Sequence, residues 1–196
     1  LAVAAGLGFT IPRTVVTNQP SRAIEFYNEN GGHIVSKNAE GLRVERNGET
    51  RRVFTYPVRR RDLANYQAVC QAPVVFQERI PKKIELRVTV VGRKVFAAGI
   101  ASQNARQLQH DWRHYHDFGG DQYYSVYDLP PKIEQLCVRV VEELGLCCGA
   151  LDLIVTPDNE YVFLEINPNG QWAWIEDFTG MPIADAICDL LVCGRV

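Results

Sequence analysis

Hydrophobic and polar positions alternate most regularly between Gly149 and Asn167, GALDLIVTPDNEYVFLEIN, and this stretch organises the reading of the rest. Leu151, Leu153 and Val155 alternate with Asp152 and Ile154. After Pro157, Asp158, Asn159 and Glu160, a second run sets Val162, Leu164 and Ile166 against Tyr161, Phe163, Glu165 and Asn167. A period of two on both sides of a turn-rich tetrad predicts a β-hairpin. A register symmetric about Asp158 and Asn159 pairs Val155 with Val162, Ile154 with Phe163, and Asp152 with Glu165. Asn167, two residues beyond Glu165, projects from the same face.

Upstream, the pattern predicts a short helix over SRAIEFYNEN, capped by Ser21 and stopped by Gly31 and Gly32, then the strand HIVSK. Thr17 to Pro20 reads as a turn. Leu42 to Val58 alternates around Asn47 and Gly48 and predicts a hairpin whose second strand is Val53 to Tyr56. A single helix, RRDLANYQAVC, follows, and Pro73 leads into the strand VVFQERI. From Glu85, ELRVTVVGRKVFAAGIAS reads as a long hairpin turning at Gly92 and Arg93. It places Glu85, Arg87 and Thr89 on one face and Val88 and Val90 on the other. Gln103 to Asp128 is polar and irregular. Ile133, Leu136, Cys137, Val140, Val141 and Leu144 then recur at helical spacing after Pro130 and Pro131, and Gly145 stops that helix. A last helix, after Gly180, Met181 and Pro182, carries Ile183, Ala186, Ile187, Leu190 and Leu191 on one core-facing side.

The chain of 196 residues, 46% hydrophobic and 22% charged, has the composition of an ordinary soluble globular protein and is long enough for a sizeable core. A net charge of −2 gives no reason to expect a nucleic acid or an anionic membrane as partner. No apolar run approaches the roughly 18 residues that cross a bilayer. LAVAAGLGF lacks a basic flank and a cleavage site, which argues against a signal peptide. The six cysteines form no zinc spacing, and Cys137 and Cys188 fall on apolar helix faces, so a reducing cytoplasm is expected. The composition shift near Pro81 to Ile84 sets the main boundary. Residues 1–16 read as a segment linking to a larger structure, 17–80 as a smaller basic subdomain, and 81–196 as a larger apolar one.

The chemistry concentrates on the hairpin. Two carboxylates opposite each other across a ladder repel unless a cation lies between them. Asp152, Glu165 and Asn167 offer three hard oxygens, which suit Mg²⁺ or Mn²⁺ better than zinc. The alternative is a solvent-facing polar stripe that happens to hold two acids. Arg51, Arg52 and Arg59 to Arg61 form either a phosphate-binding patch or, more commonly, a solvated face. His114 and His116 with Asp111 and Asp117 make a weak transition-metal signal, because no third spaced soft ligand accompanies them.

Taken in order, several stretches resemble the ATP-grasp superfamily. GFTIPRTVVTN is similar to its entry into the nucleotide-binding region, HIVSK to the strand whose lysine touches phosphates, and VVFQERI to the interlobe hinge. ELRVTVVGRKVFAA and DWR are similar to the substrate-facing sheet and loop, and LDLIV with FLEINPN to the magnesium hairpin. VFQERIPKKIELRVTVVG and EINPNGQWAWIEDFTGMPIADAI most resemble the peptide-maturing ligases of the microviridin, or graspetide, type. The resemblance implies two α+β subdomains with ATP between them and a further N-terminal domain that this stretch does not include. It implies ATP and Mg²⁺ as cofactors, with Mn²⁺ as a substitute, and Asp152, Glu165 and Asn167 as metal ligands. Lys37 would meet phosphates, Gln77, Glu78, Arg79 and Ile80 would line adenine, and Glu85 would reach the ribose. Arg113 and Arg87 would act at the reacting centre.

The activity implied is ATP-dependent ligation of a carboxylate to an amine or alcohol through an acyl phosphate, making lactams or lactones in a precursor peptide. A homodimer is compatible with this. The chain departs from the family in its glycine-rich phosphate loop, where only Gly41 and Gly48 follow Lys37 before the hinge. In the family a further phosphate-contacting lysine and the N-terminal domain precede the segment that opens this stretch, so this stretch alone is expected to bind nucleotide weakly and to turn over nothing. The alternatives are a glutamate-adding or amino-acid ligase and a non-catalytic module that binds nucleotide or peptide.

Overall fold

The computed structural model of the chain describes residues 1–37, 43–46, 49–52, 54–104 and 123–194. The turn read at Asn47 and Gly48, the glycine at 41, and the whole segment with Arg113 and the two histidines lie outside the described residues. Contacts divide the chain into two compact units. One comprises Leu1–Ile11 with residues 81–104 and 123–194, the other the described part of residues 12–80.

The chain opens on a helix, α1 (Ala2–Leu7), which ends at Gly8 with φ 105°. Strand β1 (Thr14–Thr17) follows, where the sequence suggested no strand. Helix α2 (Pro20–Glu29) begins one residue before the expected cap. Gln19 is the N-cap and Pro20 the first helical residue, its fixed φ suiting that position, so Ser21 sits inside the first turn. Strand β2 (Ile34–Lys37) comes next. Strands β3 (Arg43–Arg46) and β4 (Glu49–Arg52) pair with Arg46 opposite Glu49.

The second strand of that hairpin is thus earlier than the expected Val53 to Tyr56. Tyr56 instead belongs to β5 (Tyr56–Pro57), which pairs with β2. The single helix expected over residues 60–70 is two, α3 (Arg60–Leu63) and α4 (Tyr66–Cys70). The Asn65 side chain accepts from the Ala68 N–H at 3.4 Å, so the chain restarts as a new helix there. Strand β6 (Val74–Glu78) completes an antiparallel sheet of order β1-β6-β2-β5. Ala23, Phe26, Leu63 and Val69 from the helices pack on Ile34, Val58 and Phe76.

The other unit is built on β7 (Ile84–Val91), β8 (Lys94–Ile100) and β9 (Tyr124–Val126), then helix α5 (Pro131–Glu143) and the hairpin β10 (Cys148–Val155) and β11 (Tyr161–Asn167). The sheet order is β11-β10-β7-β8-β9, antiparallel throughout. Two helices end the unit, α6 (Ala173–Thr179) and α7 (Ile183–Cys193). Glu176 of α6 accepts from the Ala184 N–H at 2.8 Å and so satisfies a donor at the start of α7. Among the described residues no helix is long and apolar enough to cross a membrane.

The two faces of this sheet are chemically different. Leu86, Val88, Val90, Leu151, Leu153, Val155 and Phe163 form one face and pack against Ala4, Phe9 and the Leu136, Cys137, Val140 and Val141 side of α5. Phe9 and Phe163 rings meet at 5.5 Å. Burial pushes the Cys137 thiol up to about 12. On the opposite face Ile175, Met181, Ile183 and Ala186 cover Val91 and Ala98, and Ile100 and Ile154 flank Glu85. The same face carries the buried polar residues Glu85, Arg87, Thr89 and Asp152. Two apolar expectations for α7 fail: Cys188 is exposed, and Leu191 is 77% exposed.

The hairpin register departs from symmetry. Val155 pairs with Tyr161, Ile154 with Val162 and Leu153 with Phe163. A bulge between Asp152 and Leu153 then shifts the ladder, so that Asp152 pairs with Glu165 and Ala150 with Asn167. The expected Val155–Val162 and Ile154–Phe163 pairs are therefore wrong, whereas Asp152–Glu165 stands. The extra residue in β11 turns Phe163 into the core and still aims Glu165 at the polar face. Without it, strict alternation would put one of those two side chains on the wrong side.

Candidate functional site

The polar face of the five-stranded sheet places Glu165, Asp152 and Arg87 directly opposite one another on β11, β10 and β7. Arg87 Nη1 donates to Asp152 Oδ1 at 2.9 Å, with side-chain exposures of only 8% and 11%. Glu165 and Asn167 are exposed. Asn167 lies two rungs along, opposite Ala150, and its Oδ1 accepts from the Asn169 N–H at 2.9 Å. That bond curls the chain after β11 into a turn. Gly170 ends the turn so tightly that a Cβ there would lie 2.4 Å from the Ala150 Cβ and 2.7 Å from Arg87 Nη2. A glycine is required here for space.

Two residues before Arg87 on the same strand and face, Glu85 is buried and pairs with Lys82 at 3.0 Å. Burial raises its pKa above the ordinary carboxyl range, and the Lys82 charge opposes that. Three atoms in a row along β7, Glu85 Oε1, Arg87 Nε and Thr89 Oγ1, are buried with no hydrogen-bond partner among the described residues. Buried polar atoms are normally hydrogen-bonded, so each of these calls for an acceptor or donor from elsewhere.

Lys37 and residues 77–80 lie in the other unit, and Arg113 lies outside the described residues. Lys37 ends β2, opposite Val75. Gln77 is buried opposite Thr14 and donates from Nε2 to Thr14 Oγ1 at 3.0 Å. Glu78 accepts from the Arg13 N–H at 3.2 Å, while its own N–H donates to the Arg13 carbonyl at 2.8 Å. Both side chains thus hold β6 to the chain around β1. Arg79 is exposed and its N–H donates to the His33 carbonyl at 2.9 Å; Ile80 follows, half-buried.

The structure therefore brings Arg87, Asp152, Glu165 and Asn167 together, with Glu85 beside them. Lys37 and residues 77–80 form a separate group. Sequence reasoning missed Lys82 and Gly170. The signal for Lys82 was a lysine three residues before an acid, and for Gly170 a glycine closing the NPNG turn.

Among the described residues no three His, Cys, Asp or Glu side chains cluster as a metal site. The hairpin set consists of two carboxylates and one amide oxygen. Its all-oxygen chemistry, with two acids face to face on one rung, fits a hard divalent cation.

A family model for the RimK-like ATP-grasp domain matches residues 59–191. The chain belongs to the RimK-like ATP-grasp family. The α+β ATP-grasp fold follows, and the resemblance to peptide-maturing ligases is matched by solved structures. A RiPP-associated ATP-grasp ligase from Chryseobacterium gregarium, in complex with ADP and a leader and core peptide, is 34% identical with a TM-score of 0.92, over 100% of this chain and 58% of that one. The macrocyclase MdnC from Microcystis aeruginosa, bound with precursor peptide MdnA, is 37% identical with a TM-score of 0.85 and the same coverage. The macrocyclase MdnB from Microcystis aeruginosa is 34% identical with a TM-score of 0.74, over 97% of this chain and 57% of that one. The chain thus spans less than two thirds of the length of these ligases. No curated protein matches it.

Proposed function

We propose that this chain is the nucleotide-binding core of an ATP-dependent ligase that joins a carboxylate to an amine or alcohol of a precursor peptide, giving lactam or lactone cross-links. The observation that carries the reading is the rung of Glu165 opposite Asp152, with Asn167 beside it, on the sheet face that also carries the buried Glu85 and Arg87. The ligases similar to this chain at 34% and 37% identity, one in complex with ADP and both with peptides, support it.

In this reading Asp152, Glu165 and Asn167 hold Mg²⁺, or Mn²⁺ in its place. The metal supplies charge neutralisation on the phosphates when bound. Lys37 contacts phosphate oxygens as a point charge. The backbone of residues 77–80 recognises adenine, since the side chains of Gln77 and Glu78 are already engaged by Thr14 and Arg13. Glu85 accepts from ribose hydroxyls. Arg113 and Arg87 act on the reacting carboxylate and its acyl phosphate, where a planar guanidinium grips two oxygens at once. Residues 17–80 serve as the smaller subdomain and 81–196 as the larger, and the setting is the cytoplasm.

Full-length enzyme incubated with ATP and a panel of Thr-, Ser-, Lys- and Glu-containing precursor peptides is expected to release ADP only when a suitable peptide is present. The peptide product should lose the mass of one water per bond. A gain of glutamate mass would move the chain to the glutamate-adding ligases. No peptide-stimulated release across the panel would favour a binding module.

A further inference from the structure

We propose that Arg87 and the divalent cation compete for the Asp152 carboxylate, so that Arg87 is a built-in counter-ion that keeps free metal off the hairpin. This rests on the metal reading of Asp152, Glu165 and Asn167 given above. Acid, acid and base follow one another across three strands, Glu165, Asp152 and Arg87, and the base grips the middle acid at 2.9 Å. Asp152 is the buried one of the two carboxylates, and a buried carboxylate needs a partner of opposite charge. Glu165 is exposed and makes no ion pair among the described residues.

The guanidinium is held in this position by packing as well as charge. Gly170 leaves room for Nη2 with nothing to spare, and Nε is buried without a partner among the described residues. The guanidinium is therefore seated on Asp152 through Nη1, while its Nε–H has no partner among the described residues. An oxygen acceptor would satisfy that N–H, and a phosphate or acyl phosphate has the oxygens and the charge to do so. The trio with Arg87 carries one net negative charge, whereas the two acids alone carry two. A dication arriving alone meets half the attraction and a cation already on its ligand. Arriving with nucleotide phosphates, it comes with an anion that gives Arg87 an alternative partner. Metal and nucleotide are thereby coupled through one side chain of this chain.

The test is titration of Mn²⁺, read by electron paramagnetic resonance, into full-length protein without nucleotide. Arg87→Gln is expected to bind free Mn²⁺ about tenfold or more tightly than the native protein, because the competing charge is gone. Arg87→Lys, which keeps the charge, is expected to stay within a few-fold of native. Free Mn²⁺ binding by Arg87→Gln no tighter than native overturns the proposal. If Arg87→Gln folds poorly, its melting temperature should rise more with Mn²⁺ than the native protein's does, and no such excess rise also overturns it. Native protein that takes up no Mn²⁺ even with an ATP analogue would remove the metal reading itself. Uptake with the analogue, but no gain in Arg87→Gln, removes only the role of Arg87.

Discussion

Glu165→Ala is expected to abolish Mg-dependent ATP binding, lowering affinity by at least about a hundredfold. Supporting groups around a metal ligand already cost about ten- to a hundredfold when removed, and Glu165 is proposed as a ligand itself. The variant separates site from fold. Glu165 is exposed on the edge strand and contributes nothing to the apolar core, so its removal should change stability by no more than about 0.5 kcal/mol. Calorimetric titration of ATP with and without Mg²⁺ reads the first effect and urea unfolding the second. Unchanged Mg-dependent affinity in a stable variant would sink the assignment. Asp152→Ala would be a poorer choice, because it also strands the buried Arg87 and mixes a folding cost into the result.

Phe163→Ala is expected to cost about 3–5 kcal/mol in urea unfolding, whereas Leu164→Ala costs clearly less. Phe163 is almost fully buried, meets Phe9 at 5.5 Å, and its N–H donates to the Thr10 carbonyl at 2.9 Å. Leu164 is the residue the bulge leaves without a cross-strand partner, and it is only half-buried. Unbroken alternation along β11 would reverse the ranking, with Leu164 inside and Phe163 on the polar face. The reversed order, or equal costs, would contradict the bulged register.

That register shows what was legible in the sequence and what was not. The hairpin and the Asp152–Glu165 pairing could be read from periodicity and the PDNE turn, but the bulge left no periodic trace. Two errors cancelled at Asp152: the turn is offset by one residue from symmetry, and the bulge adds one back. The Glu85, Arg87 and Thr89 face was plain from alternation, since a strand of eight residues keeps its period long enough to count. The short elements were not. Strands β1 and β9 and helix α6 run four, three and seven residues, too few for a pattern, and their places are set by pairing and packing. The break between α3 and α4 turned on one side-chain bond at Asn65, which competes with the helix locally.

Leu191 and Cys188 show a different limit. Helical spacing says which residues share a face, and only packing says how far along the helix that face is covered. In α7 the cover reaches Ile183 and Ala186, with Ile187 and Leu190 packed partly beneath it. In the site, what could not be read was the ion pairing. Arg87 and Glu85 stood out as residues, but their partners Asp152 and Lys82 depend on strand order and on the path of the chain before β7. Strand order in an antiparallel sheet is a property of the whole unit.

The central claim is that Asp152, Glu165 and Asn167 form the metal site of an ATP-grasp ligase. Crystals of the full-length protein grown with Mn²⁺ and a non-hydrolysable ATP analogue test it most directly, through anomalous scattering at the manganese edge. The account predicts anomalous density within about 2.3 Å of a carboxylate oxygen of Glu165, shared with Asp152 and Asn167. Nucleotide-bound manganese elsewhere, with Asp152 still held by Arg87 and Glu165 in solvent, would contradict it.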